Sequence, residues 1–245
     1  MILVAIFLFT SFVSVVTGST SLITVPVLIE FGVDPHVAVA TNMMALIFMS
    51  LGGSLPFAGK GVLEQRLLPA CVTLTLIGSA IGALLLLRVP LRALQLTIAI
   101  AMMSVAVFSL TRNDSDRSVR PLSNPRKVAG YFATFLLAVY GGFFSGGYVT
   151  MLTAVFVLLF GLTFLQSVAT TKVINVFSSA IATLIFAWHG AVDYKLGTIL
   201  GGTMFLGALI GGHVTMRVNP LLLRRIFLIA VLGLALRMLL SFLQH

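Results

Sequence analysis

An all-α fold that crosses a membrane several times is what this sequence predicts, and three observations carry the prediction. Of its 245 residues, 59% are hydrophobic and 9% charged, whereas a soluble globule carries roughly 25% charged residues. Apolar runs of about 20 residues, the length that spans a hydrocarbon core, recur along the chain. The stretch from Gly18 to Leu110 also lies over Gly147 to Leu239 without a gap, at a constant offset of 129 residues. The runs are continuous rather than alternating, which excludes a β-barrel.

The matched positions are ones where backbone or polarity matters. Gly32 meets Gly161, Gly61 meets Gly190, Gly78 meets Gly207 and Gly82 meets Gly211. Val39-Ala40-Thr41 meets Val168-Ala169-Thr170, Ser50 meets Ser179, and Arg88-Val89 meets Arg217-Val218. Chance pairing of apolar stretches would align leucines, not glycines, threonines and arginines. A duplicated unit of this kind is the mark of a transporter built from two related halves.

About eight transmembrane helices follow, in two repeats of four. Residues 1–110 form the first repeat, with blocks Ile2 to Phe31, Val37 to Phe57, Leu67 to Leu87 and Leu91 to Leu110. Residues 111–127 form a basic polar linker. Residues 128–245 form the second repeat, with blocks Val128 to Phe160, Phe164 to Trp188, Leu196 to Met216 and Leu221 to Leu240.

The first block of each repeat runs to about 30 residues, longer than one crossing needs. Thr17-Gly18-Ser19-Thr20-Ser21 interrupts the first, and Gly141-Gly142-Phe143-Phe144-Ser145-Gly146-Gly147 the second. Such glycine clusters weaken a helix, so each first helix is expected to be broken or re-entrant. Unwound backbone persists at membrane depth only when buried in protein or lining a cavity. A break at the same place in both repeats points to a shared central cavity, the alternative being a tight glycine crossing packed against a neighbouring helix. The third blocks carry Gly78-x-x-x-Gly82 and Gly207-x-x-x-Gly211, small-residue faces that allow close helix packing.

Two topologies fit. If every block crosses once, the halves are parallel; if each broken block is a re-entrant hairpin, they are inverted. The Lys and Arg distribution places the linker in the cytoplasm either way. The reading adopted is eight crossings with both termini inside.

The net charge of +9 does not indicate nucleic acid, because the basic residues sit in short loops where they anchor helix ends. Cys71 is the one cysteine and reads as a small packing residue. Met1 to Val16 lacks a basic n-region and a cleavage site, and reads as structural. No ATP-binding loop, dinucleotide fingerprint, nucleophile elbow or metal-ligand spacing occurs. No cofactor and no metal are expected, and enzymatic chemistry has no visible constellation.

The polar residues of the second blocks are the best functional candidates. Thr170, Thr171, Lys172, Asn175, Ser178 and Ser179 lie in block six, with Thr171, Asn175 and Ser178/Ser179 expected on one helix face. Lys172 falls about 12 Å into its helix, where a lysine costs about 2.5–3.5 kcal/mol on insertion scales. No carboxylate occupies an i±3 or i±4 position. A bound anion, snorkelling to an interface, or pairing with Glu30 would each account for it. Thr41, Asn42 and Ser50 hold the equivalent places in the first half, with Met43 where the lysine would be. One cation facing hydroxyls, amides and freed N–H groups suits a small oxyanion.

The run Gly18-Ser-Thr-Ser-Leu-Ile-Thr-Val-Pro-Val-Leu28, with Gly32-Val33 and Val39-Ala40-Thr41-Asn42, resembles the TauE/SafE sulfite-exporter family. Phe144-Ser145-Gly146-Gly147 and Ala169-Thr170-Thr171-Lys172 with Asn175 are similar to its second-half pattern. The resemblance covers nearly the whole chain. It implies a multi-pass secondary transporter of the bacterial inner membrane that moves small sulfur-containing anions such as sulfite or sulfonates. It also implies substrate contacts from Gly18, Thr41, Asn42, Gly146, Gly147, Thr170, Thr171, Lys172 and Asn175. Ser19-Thr20-Ser21 departs from the glycine-rich run of the family. The expected partners are a small anion and the lipid bilayer, and protons are the candidate coupling ion because export of an anion against its gradient needs a driver. An anion channel and a non-transporting scaffold are the competing readings.

Overall fold

The structure is a computed structural model that describes residues 2–18, 20–111, 124–214 and 229. Residues 112–123 of the linker and nearly all of the last apolar block, with Arg217-Val218 and Ser19, lie outside the described residues, while Thr111 and 124–127, expected in the linker, are helical. In chain order the helices are α1 (Ile2–Thr17), α2 (Ser21–Glu30), α3 (Pro35–Ser54), α4 (Leu68–Leu86), α5 (Leu91–Thr111), α6 (Asn124–Phe143), α7 (Tyr148–Leu159), α8 (Phe164–Trp188) and α9 (Tyr194–Val214). A single 3-10 turn, Leu55–Phe57, follows α3. Every ordered element among the described residues is helical. Four stretches are long and apolar enough to cross a bilayer: Pro35–Phe57, Leu68–Leu86, Phe164–Trp188 and Tyr194–His213. Lipid-facing side chains such as Ile77, Leu84, Leu184 and Ile210 stay exposed.

Both long first blocks break where the glycines stand. α1 stops at Thr17 and α2 begins at Ser21, with Gly18 at φ +79° between them. α6 stops at Phe143 and α7 begins at Tyr148, with Gly147 at φ +84°. This left-handed backbone is strained for any residue with a Cβ. The offset of 129 also pairs left-handed Gly32 with Gly161 and Gly61 with Gly190. Helix starts pair likewise. Asp34 caps α3 through His36 N (2.8 Å), and Thr163 caps α8 in a capping box with Gln166.

The second break is a hairpin. The Phe160 ring, just past α7, packs on Tyr131 near the start of α6 at a centroid distance of 5.1 Å. Gly130 faces the same ring, and Gly141 faces Tyr148 across the tip. α7 therefore returns along α6 instead of continuing the crossing.

The aligned halves run in opposite directions. Ser50 on α3 meets Asn175 on α8 at 2.6 Å, while Gly53 lies against Lys172. Residue numbers rise on one helix as they fall on the other, so α3 and α8 are antiparallel. The parallel arrangement implied by four crossings per half is thereby corrected. Hairpin formation in the first block reverses the direction in which each later helix is threaded.

Small residues set the helix crossings. Gly78 lies against Ala138 and Phe135 of α6, and Gly82 against Val139 and Phe143. The counterpart Gly207 on α9 lies against Leu8 and Ser11 of α1. α4 thus packs on the first helix of the second half, and α9 on the first helix of the first half. Cys71 is buried in the apolar cluster around Tyr148, Phe156 and Phe160.

Gly82→Ala would drive a methyl into the α6 backbone, and overpacking of this kind costs about 1–3 kcal/mol. Gly202, on an open face of α9, has nothing within 4 Å. Thermal unfolding of purified protein is expected to show a lower Tm for Gly82→Ala and an unchanged or slightly raised Tm for Gly202→Ala.

Candidate functional site

The two breaks meet each other. Gly18 sits against the backbone and hydroxyl of Thr150 in the first turn of α7, and Gly146 packs on Leu22 of α2. Neither α2 nor α7 has a side-chain cap on its first turn. Gly18, Gly146 and Gly147 are therefore gathered in one place, where Gly18 and Gly146 are closely packed against the opposite half. Tyr140 donates its hydroxyl to the Gly146 carbonyl and braces the second tip.

Asn42 and Thr171 tie the half-helices to the long helices. Asn42 donates its amide N–H to Ser21 Oγ (2.9 Å), and its Oδ1 accepts from Thr24 (2.7 Å). At equivalent positions in the second half, Thr171 and Thr153 share a hydrogen bond of 3.2 Å. Thr41 and Thr170 point elsewhere. Thr41 Oγ1 accepts the Asp193 backbone N–H (3.0 Å), and Thr170 Oγ1 accepts that of Glu64 (3.4 Å).

Lys172 and Asn175 form the remaining group. Lys172 is 0% exposed, and its amine has no hydrogen-bond partner among the described residues. A Cβ on Gly53 would sit 3.6 Å from Lys172 Cδ, in ordinary van der Waals contact, so the lysine stem lies alongside α3 at this level. Neither snorkelling nor an ion pair with Glu30 describes this side chain. Glu30 stands at the exposed end of α2, and Lys172 is wholly enclosed. Asn175 donates to Ser50 Oγ, which leaves its Oδ1 without a partner.

Ser179, singled out from the sequence, and Thr183, which was not, lie on the same face. Ser179 Oγ and Thr183 Oγ1 are buried and unpartnered. Elsewhere in this protein helical hydroxyls fold back on the preceding turn, as at Thr10, Thr134, Thr153 and Thr198. Lys172, Asn175, Ser179 and Thr183 fall at i, i+3, i+7 and i+11, one stripe along α8 about 16 Å long. That spacing from the lysine was the available signal. The expected common face of Thr171, Asn175 and Ser178/Ser179 divides, and only Asn175 and Ser179 stay together in the stripe. Thr171 turns to α7 and Ser178 to Ser79 of α4 (2.7 Å), whereas Asn175 turns to α3.

The nine candidates thus occupy three places: the joined breaks, the ties to half-helices and loops, and the unpartnered stripe. Among the described residues no group of three or more His, Cys, Asp or Glu could hold a metal ion. His189 and His213 each engage a carbonyl one turn earlier in their own helices.

A family model for the sulfite exporter TauE/SafE matches residues 3–238. The chain belongs to the TauE/SafE family. It is 27% identical over 233 residues to a probable membrane transporter protein, ORF9, of Sinorhizobium sp., covering 93% of this chain and 87% of the relative. A probable membrane transporter protein of Haemophilus influenzae is 27% identical over 217 residues, covering 87% and 84%. The probable membrane transporter protein YfcA of Escherichia coli is 26% identical over 222 residues, covering 89% and 81%. No solved structure matches the chain. This TauE/SafE protein is accordingly a helical membrane protein of a transporter family.

The ties predict a measurable cost. Asn42→Leu removes two buried hydrogen bonds and leaves Ser21 and Thr24 to find other partners. Interhelical bonds in membranes average about 0.6 kcal/mol each, so a loss of about 1–2 kcal/mol is expected, read as a lower Tm in detergent.

Proposed function

We propose that this protein is a secondary carrier that exports small sulfur-containing oxyanions, such as sulfite or organosulfonates, across a bacterial inner membrane. Alternating access between two inverted repeats is the mechanism, and protons are the candidate coupling ion. The repeats span residues 1–110 and 128–245, joined by the basic linker 111–127. Paired left-handed glycines and antiparallel α3 and α8 support that division.

The observation that carries the reading is the solitary amine of Lys172. A buried ammonium without a counter-ion is costly, and an arriving oxyanion would relieve that cost through charge-assisted hydrogen bonds. Ser179 and Thr183 would donate to further anion oxygens, and Asn175 would present its amide beside them. Gly146 and Gly147, with the uncapped first turns of α2 and α7, would contribute backbone N–H groups. Gly18, whose N–H donates to Ser14 O (2.7 Å), would supply the turn that brings the first break to them. Thr41, Asn42, Thr170 and Thr171 would shape the site through the elements they hold.

Enclosure favours a carrier over a channel. A conducting pore keeps its selectivity groups in contact with solvent along the path, while Lys172 is fully shielded. The family name and the transporter relatives support the substrate class and the transport reading.

One substitution separates a functional lysine from a structural one. Lys172→Met places at 172 the residue that Met43 supplies in the first half. It is expected to raise Tm, by relieving a cost of about 2.5–3.5 kcal/mol, and to reduce sulfite flux in proteoliposomes by at least tenfold. Wild-type flux in Lys172→Met would rule out the anion role. A lowered Tm would mean that the amine has a stabilising partner.

A further inference from the structure

Two hydrogen bonds join a loop of one half to a helix of the other, and the offset of 129 residues converts one into the other. Thr41 on α3 holds the backbone N–H of Asp193, which begins α9, at 3.0 Å. Thr170 on α8 holds that of Glu64, ahead of α4, at 3.4 Å. Thr41 corresponds to Thr170, and Glu64 to Asp193. Both threonines are fully buried. Each captured loop connects two long helices of its own half, Ser54 to Leu68 in one case and Trp188 to Tyr194 in the other.

The antiparallel packing of α3 and α8 puts these bonds at opposite ends of the molecule. Lys172 is level with Gly53, so Thr170 is level with the end of α3. Thr41 lies about 14 residues away along that helix, or about 20 Å. The unpartnered stripe runs between the two. Lys172 is next to the Thr170 end, and Thr183 approaches the Thr41 end. With both bonds made, the stripe is closed.

We infer that these two bonds are the latches of the carrier, one for each end, and that transport alternates by releasing them in turn. The inference rests on the carrier reading above. It assigns Thr41 and Thr170 a gating role instead of a place against the anion. A latch must bias an equilibrium without freezing it, because a ligand moves a two-state protein only by its differential affinity. A single neutral hydrogen bond between a hydroxyl and a loop amide has this strength, worth about a threefold population shift in a membrane protein. Asp193 also caps α9 through Leu196 N at 2.9 Å. Release at that end can therefore free the loop while the helix start stays capped.

The experiment uses proteoliposomes with Cys71→Ser and a reporter, Ser50→Cys, labelled from either side by a membrane-impermeant thiol reagent without added anion. Exposed Lys60 and Lys195, each replaced by cysteine in a separate sample, mark the two ends. Thr41→Val is expected to raise reporter labelling about threefold from the Lys195 side, and Thr170→Val about threefold from the Lys60 side. Thr41→Ser and Thr170→Ser, which keep the hydroxyl, should match the parent. Thr41→Ala and Thr170→Ala give the same reading if a valine variant does not fold. Increased labelling from the same side in both variants overturns the latches, as does unchanged labelling in folded variants. Sulfite flux is measured in parallel through the Cys71→Ser protein with Ser50 intact, because the reporter removes the hydroxyl that accepts the Asn175 amide. Sided labelling without flux would retain the latches and reject the carrier, and flux with unsided labelling would do the reverse.

Discussion

The antiparallel contact between α3 and α8 is the constraint on which the rest of this structure depends. At its heart Gly53 lies alongside the stem of Lys172, and Ser50 receives the amide of Asn175. The pairing also fixes polarity. Once these helices run in opposite senses, each loop that leaves one half arrives beside a helix of the other.

The breaks in the first blocks make that contact possible. A half-length α7 folded back on α6 leaves the full bilayer thickness to α8, and it places the hydroxyl of Thr153 beside Thr171. In the first half, Thr24 and Ser21 stand in the same relation to Asn42. These are modest bonds in energy, but they are directional. They hold the short helices at one height, so that Gly18 and Gly146 can meet partners from the opposite half. Small residues at 78, 82 and 207 then bring whole backbones together, giving close packing where lipid supplies no hydrophobic drive between helices.

Polarity within this frame is unequal. Nearly all helical hydroxyls are satisfied by their own carbonyls or by a neighbour, at no cost to the fold. Among the described residues the buried hydroxyls of Thr75 and Tyr148 also have no hydrogen-bond partner, but only the α8 stripe combines such groups with a charge, and it belongs to one half. Its counterparts at the lysine and asparagine positions in the first half are Met43 and Leu46. A symmetric scaffold thus carries an asymmetric site, the expected outcome when one copy of a duplicated unit keeps a charge and the other keeps packing.

The sequence by itself determined the helical membrane class, the two breaks, the close-packed glycine faces and the lysine as the odd charge. Each of these depends on composition or on local backbone preference, and α8 was placed residue for residue because its caps are local. Direction and partnership were decided only by the tertiary structure. Whether a broken helix continues or turns back depends on what it packs against, which no window of residues encodes. Threonine hydroxyls at 41, 170 and 171 look alike in sequence, yet two hold distant loop amides and one a neighbouring helix. A hydrogen-bond partner up to 152 residues away is a property of the packed chain, because burial alone decides which polar groups meet and which are left without one.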